Sequence, residues 1–283
     1  MNGWALVTGG SSGMGLEYAR QLAARGFDLL LVSNQQAELN QAVADLQEQF
    51  GVRAMARYQD LSAVSAAEEL LAFCEAQPLE VEVLINNAGM FFFEELHPEN
   101  EAKALTMLQL HVYTPTHLCV LFGEKMKQRG HGYILNVSSM AAELPCPGIT
   151  VYSSTKAYLK SFSKALYFEM RPYGVGVTTV CPAAIATPLY KLKPKMLKLG
   201  VKIGLIGTPQ WLVRRALRRL FKKRRVVKPG FMNYYLPPLI ALLPKGLETR
   251  IWNRVKQRIV VIMPVFSAVL QNIFYFCPFF EKF

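Results

Sequence analysis

Trp4-Ala5-Leu6-Val7-Thr8-Gly9-Gly10-Ser11-Ser12-Gly13-Met14-Gly15 is the stretch that decides the fold. Trp4 to Val7 is a short apolar run with a turn signal behind it, the pattern of a strand buried in a parallel sheet. After Gly15 the spacing of Leu16, Ala19, Leu22 and Ala23 predicts a helix, closed by Gly26. Strand, glycine-rich turn and helix are the setting in which a turn cradles a pyrophosphate. Gly9 would permit the tight turn, Gly13 would let the backbone approach the phosphates, and Gly15 would let the helix pack closely. The helix N-terminus adds amide donors and a favourable dipole. The plainer reading is an ordinary strand-to-helix turn.

The same alternation repeats along the chain. Leu29 to Val32, Arg53 to Tyr58, Val81 to Ile85, Tyr133 to Val137 and Gly174 to Val180 read as five further strands. Helical patterns run over Glu38 to Phe50, Ala66 to Ala76 and Ala102 to Gln128 between them. Strands alternating with helices at this spacing predict an α/β fold, a doubly wound parallel sheet with helices on both faces. The second strand ends in Ser33-Asn34-Gln35, where an NAD-selective fold places a carboxylate for the ribose 2′-hydroxyl. A neutral pocket tolerates a 2′-phosphate, so NADP(H) is favoured over NAD(H). Asp60-Leu61 follows the third strand and is placed to edge an adenine. Asn86-Asn87-Ala88-Gly89 follows the fourth.

Tyr152-Ser153-Ser154-Thr155-Lys156 puts a phenol and an ammonium on one helix face. A free tyrosine titrates near pH ~10, and a neighbouring cation favours its phenolate. Such a pair can exchange a proton with a substrate. Alone, the spacing occurs in many helices. Ser138-Ser139, thirteen residues upstream at a strand end, adds a hydroxyl to the set.

Composition narrows the class. The 283 residues are 52% hydrophobic and 18% charged, which is globular. Five scattered cysteines with no C-x-x-C pair and four histidines without metal spacing predict neither a disulfide framework nor a metal site. A reducing, cytoplasmic setting is expected, with strand-like sequence from Gly3 leaving no room for a secretory signal. Net charge is +12, unevenly spread. Residues 1–189 hold 12 Lys and Arg against 18 Asp and Glu, while residues 190–283 hold 20 against 2. The basic half predicts contact with something anionic: phospholipid head groups, as on the cytoplasmic face of a membrane, nucleic acid or an acidic substrate. It lacks the aromatic interleaving of a nucleic-acid module.

The T-G-x-x-x-G-x-G turn, N-N-A-G, S-S and Y-x-x-x-K, in this order and spacing, resemble the short-chain dehydrogenase/reductase family over residues 3 to about 190. The resemblance implies a Rossmann-type fold, a nicotinamide cofactor, hydride transfer to or from a carbonyl or alcohol, and a homodimer or homotetramer. It implies Tyr152 as general acid and base, Lys156 as its tuner and ribose binder, and Ser139 as hydrogen-bond partner of the substrate oxygen. Gly9, Ser11, Ser12, Gly13, Met14 and Gly15 would hold the phosphates, and Ser33, Asn34, Asp60, Leu61, Asn87, Ala88 and Gly89 the adenosine side. Pro182, Ile185 and Thr187 would face the nicotinamide. Two positions depart from the family pattern. His111 stands where an asparagine is usual; either its imidazole relays protons, or only its backbone matters. Ala183 stands where a glycine is usual.

Beyond the sixth strand, Leu189 to Gly207 alternates lysines with apolar residues and reads as a substrate lid. Thr208-Pro209 opens a helix with Val213, Ala216, Leu217, Leu220 and Phe221 on the core side and arginines opposite. Residues 1–230 are read as the catalytic domain and 231–283 as a basic, apolar helical extension. Ile259 to Phe280 carries no charge, but Pro264, Gln271, Asn272 and Pro278 interrupt it, which suits an interfacial anchor better than a span. The expected substrate is lipophilic: a steroid, a long-chain 3-oxoacyl compound or a sphingoid base. The alternative is a cofactor-binding sensor or membrane scaffold with little chemistry.

Overall fold

The apolar runs become strands because both of their faces are covered. The computed structural model describes residues 3–144, 146–185, 206–230 and 232–242, with Gly246 and Arg250 beyond them. In chain order these form β1 (Trp4–Thr8), α1 (Gly13–Ala23), β2 (Asp28–Ser33), α2 (Gln36–Phe50), β3 (Ala54–Tyr58), α3 (Ala66–Ala76) and β4 (Val81–Asn86). Then come α4 (Glu101–Leu108), α5 (Thr114–Arg129), β5 (Gly132–Val137), α6 (Thr150–Met170), β6 (Val175–Val180), α7 (Pro209–Phe221), β7 (Val226–Val227) and α8 (Met232–Ala241). The sheet order is β3-β2-β1-β4-β5-β6-β7, with every pairing parallel. Order reverses between β1 and β4, the switch point beside which ligands bind in open α/β sheets.

Tyr18, Leu22, Leu39, Leu46, Leu212 and Leu217 fill one face of the sheet from α1, α2 and α7. Leu70, Leu118, Phe122 and Leu166 fill the other from α3, α5 and α6. Thr208 caps α7, its side chain accepting from the Trp211 amide at 3.3 Å. Val213, Ala216, Leu217 and Leu220 are core, and Phe221 is half-buried, stacked on Phe27 at 5.9 Å. α8 returns to the body through the buried Asn233 and Leu236.

Two features depart from the sequence reading. The single helix expected over Ala102 to Gln128 is two, joined by a π-helical turn at Gln109–Tyr113. Pro115 has no N–H for the His111 carbonyl four residues back, so the α-helical ladder cannot run through. The sheet also gains β7, whose two residues pair with Thr179 and Val180. Among the described residues no helix is long and apolar enough to cross a membrane. Thr187, residues 189–205 of the expected lid and the stretch 259–280 lie outside the described residues.

Candidate active site

The glycine-rich turn leaves β1 at its C-terminal end. Gly9 and Gly13 have φ of +64° and +56°, a region that favours glycine. A Cβ on Gly15 would lie 1.9 Å from the Gly9 carbonyl oxygen, so no larger residue fits. Ser12 makes no side-chain cap and the first turn of α1 holds no acid, leaving its amides to an anion. These features fit a dinucleotide phosphate. The loop after β4 is latched to this turn. Thr8 Oγ1 accepts from the Asn87 and Ala88 amides at 2.9 and 3.0 Å, and Asn87 Nδ2 donates to the Thr8 carbonyl at 3.0 Å.

On the adenosine side, Ser11 and Ser33 hydroxyls bond at 2.9 Å, and Ser33 also accepts from the Gln35 amide. Asn34 is exposed. Asp60 is exposed, but its Oδ1 already accepts from the Ser62 amide and hydroxyl, at 2.9 and 2.8 Å. The Leu61 carbonyl accepts from Thr114 Oγ1 at 2.7 Å.

α6 brings Tyr152 and Lys156 to the ends of β5 and β6, both buried. The Lys156 ammonium donates to the Val137 carbonyl at 3.0 Å and sits 5.7 Å from the Tyr152 ring centroid. Burial pulls its pKa down to about 8, partly offset by Cys181. Ser138 Oγ donates to the Lys156 carbonyl at 2.7 Å, locking strand end to helix. Ser139 caps the 3₁₀ turn Met140–Glu143, its Oγ accepting from the Ala141 amide at 3.1 Å. The Met140 amide donates to the Pro182 carbonyl at 2.8 Å, and Ile185 pairs with Gly207 in one parallel bridge.

His111 is buried in the π turn, and both ring nitrogens have partners inside the protein. Nε2 accepts from the Met90 amide at 3.0 Å. The proton therefore sits on Nδ1, 3.1 Å from Thr155 Oγ1, whose own hydrogen goes to the Tyr152 carbonyl at 2.8 Å. Burial, with the Lys156 charge second, pushes this imidazole well below the ordinary histidine range. Its ring meets Tyr152 edge-on at 5.8 Å. A hollow of about 10 Å³ lies among Asn86, Leu110, His111 and Lys156, room for one water.

Several participants escaped the sequence reading. Phe91 meets the Tyr152 ring edge-on at 5.0 Å, and Met90, Phe92 and Phe93 pack on the cluster of Met107, Ile149 and Tyr152. Three consecutive phenylalanines, one residue after N-N-A-G, were the available signal. Glu143 is ion-paired with both Lys160 and Lys228. Burial pushes its carboxyl up, but the two lysines outweigh that and hold it low.

A family model described as short chain dehydrogenase matches residues 3–198. The very-long-chain 3-oxoacyl-CoA reductase of Mus musculus is 35% identical over 196 residues, 67% of this chain and 62% of that protein, so the chain spans under two thirds of that relative. The Homo sapiens protein of the same name is 32% identical over 256 residues, 88% of this chain and 78% of that one. A solved short-chain dehydrogenase from Sphingobium yanoikuyae, in complex with NADPH, superposes with a TM-score of 0.73 at 25% identity, over 93% of this chain and 97% of that one. With the glycine-rich turn at β1 and the Ser139, Tyr152 and Lys156 side chains at the ends of β5 and α6, the chain belongs to the short-chain dehydrogenase/reductase family.

Proposed function

We propose that the chain is an NADP(H)-dependent oxidoreductase that reduces the 3-oxo group of a long-chain, lipophilic acyl thioester, or oxidises the matching alcohol. One observation carries this reading. The apolar wall of Phe91, Met107 and Ile149 packs on the same Tyr152 ring that Lys156 approaches from the polar side. An apolar chain on that wall would present its carbonyl to the phenol. The names of the relatives favour the 3-oxoacyl class over a steroid or sphingoid base.

When bound, the nicotinamide supplies or takes up the hydride. Ser139 Oγ donates a hydrogen bond to the substrate oxygen, and Tyr152 transfers its proton to that oxygen as negative charge builds there. The Lys156 ammonium stabilises the phenolate left behind. His111 acts as a clamp rather than a proton carrier, because neither ring nitrogen is left for a relay. The missing carboxylate at Ser33-Asn34-Gln35 supports NADP(H) over NAD(H). The basic, apolar C-terminal half supports peripheral attachment to the cytoplasmic face of a membrane. Exposed Leu105, Leu108, Tyr113 and Val120 along α4, the π turn and α5 support a homodimer or homotetramer.

NADPH consumption with long-chain 3-oxoacyl thioesters and a 3-ketosteroid tests the reading. Turnover of the thioesters is expected, and Tyr152→Phe should lower it roughly 10²–10⁴-fold with cofactor binding retained. Folded protein that binds NADPH and turns over neither compound would refute it and favour a sensor or scaffold.

A further inference from the structure

We propose that the groove between α7, β7 and α8 binds the phosphate groups of a phosphorylated substrate carrier of the coenzyme A type. The inference rests on the thioester reading above. The core face of α7 is Leu212, Val213, Ala216, Leu217 and Leu220. Its opposite face carries Arg215, Arg218, Arg219 and Lys222 at i, i+3, i+4 and i+7, one exposed stripe. Lys228, just past β7, and Tyr234 of α8 close the groove, which encloses about 450 Å³.

Charge and location together select the ligand. Among the described residues no carboxylate pairs with any of the four stripe cations, whereas Arg53, Lys103, Lys125 and Lys160 elsewhere each have one. Like charges three and four residues apart repel, and a polyanion lying along them offsets that repulsion. Three arginine forks suit phosphate oxygens, and the Tyr234 ring offers a face to a nucleobase. The phosphates of the nicotinamide cofactor do not account for the groove. Its lining is drawn from α7, β7, Lys222, Lys228 and Tyr234 and includes no residue of the glycine-rich turn, and β7 itself is four strand spacings from β1, roughly 19 Å across the sheet. It leads instead toward the reacting centre. Lys228 lies 2.5 Å from the Glu143 carboxylate, and Glu143 ends the 3₁₀ turn that Ser139 caps. A carrier held by its phosphates in the groove would send its arm past Lys228 toward Ser139.

The test compares a coenzyme A thioester with the same acyl group on N-acetylcysteamine, which lacks the phosphates. The enzyme is saturated with NADPH so that the carrier cannot occupy the cofactor site. Arg215→Ala with Arg219→Ala should raise KM for the coenzyme A thioester by about tenfold or more. The kcat and the KM of the truncated thioester should stay unchanged, the thermal midpoint should hold or rise as the repulsion along the stripe is relieved, and Arg219→Lys should retain part of the effect. Free coenzyme A should compete in the wild type and much less in the variant. Equal changes for both thioesters would overturn the proposal. So would wild-type KM values in a variant that loses binding to anionic phospholipid vesicles, which would assign the groove to lipid headgroups. If neither thioester turns over, the proposed reaction fails separately. Calorimetric titration of the NADP⁺-saturated protein with coenzyme A then decides for the groove: wild-type binding lost in the variant upholds it, and no binding to the wild type overturns it.

Discussion

Burial brings the Lys156 ammonium to about 8, against an ordinary lysine near 10.5. Below pH 8 both folded and unfolded chains carry this proton, and the folded state bears the whole desolvation cost, about 3 kcal/mol. Between about 8 and 10.5 the unfolded chain binds the proton that the folded one has released, so the cost fades as pH rises. Lys156→Met should therefore melt higher than wild type at pH 7, with the gain shrinking toward pH 10, while turnover is lost. Paired melts across that range check it; a lower melting point for the variant at pH 7 would show that the ammonium supports the unliganded fold. His111 has the same sign in another window. The unfolded imidazole takes a proton near pH ~6.5, and the folded one stays neutral well below that. Stability present above pH 6.5 is then lost as pH falls, by up to about 1.4 kcal/mol per unit. His111→Asn should remove this acid sensitivity. It should also lower kcat more than it raises KM, since Tyr152 loses the clamp running through Thr155. An unchanged acid limb in the variant would exclude His111 as its source.

At the scale of elements, the turn after β1 tolerates least. A methyl on Gly15 would overlap the Gly9 carbonyl, and the turn is latched from behind by Asn87 Nδ2, 2.7 Å from the same position. Gly15→Ala should destabilise by about 1–3 kcal/mol and abolish NADPH binding, read by melting and by fluorescence of the bound cofactor. Normal binding would mean that the turn relaxes. This turn and six of the seven strands were legible because each rests on local pattern: an apolar run with both faces covered, followed by glycines or small polar residues. The pairing of Tyr152 with Lys156 was legible for the same reason, four residues on one helix. The parts that were not legible depend on distant partners. β7 is two residues long and is a strand only because Thr179 and Val180 lie beside it. The role of His111 is set by Met90 and Thr155, 21 and 44 residues away in sequence. Glu143 gains its meaning from Lys160 and Lys228, which helix and strand bring together. The π turn did leave a local trace in Pro115, since a proline one turn after His111 withholds a helical hydrogen bond.

Across the whole molecule the charge is split along the chain, with 12 Lys and Arg against 18 Asp and Glu up to residue 189 and 20 against 2 after it. Charge alone would hold such a chain to any anionic surface, and salt would release it. The described part of α8 adds a second kind of contact. Tyr235 and Leu239 of α8, and Leu242 just past it, are 69%, 58% and 82% exposed. Basic residues near an anionic bilayer contribute about 1 kcal/mol each, screened as the Debye length falls from about 10 Å at 0.1 M salt to about 3 Å at 1 M. A leucine entering the acyl boundary contributes about 1.5–3 kcal/mol that salt does not screen. The two contributions are therefore separable on vesicles of phosphatidylcholine and phosphatidylserine. Wild-type protein should partition strongly at low salt and keep a weaker, salt-resistant fraction at 1 M. Leu239→Asp with Leu242→Asp should remove the salt-resistant fraction, about tenfold or more in partition coefficient, and leave turnover of a truncated, water-soluble thioester unchanged. Retention of that fraction in the variant would place the apolar contact elsewhere in the basic half and leave α8 to pack against protein.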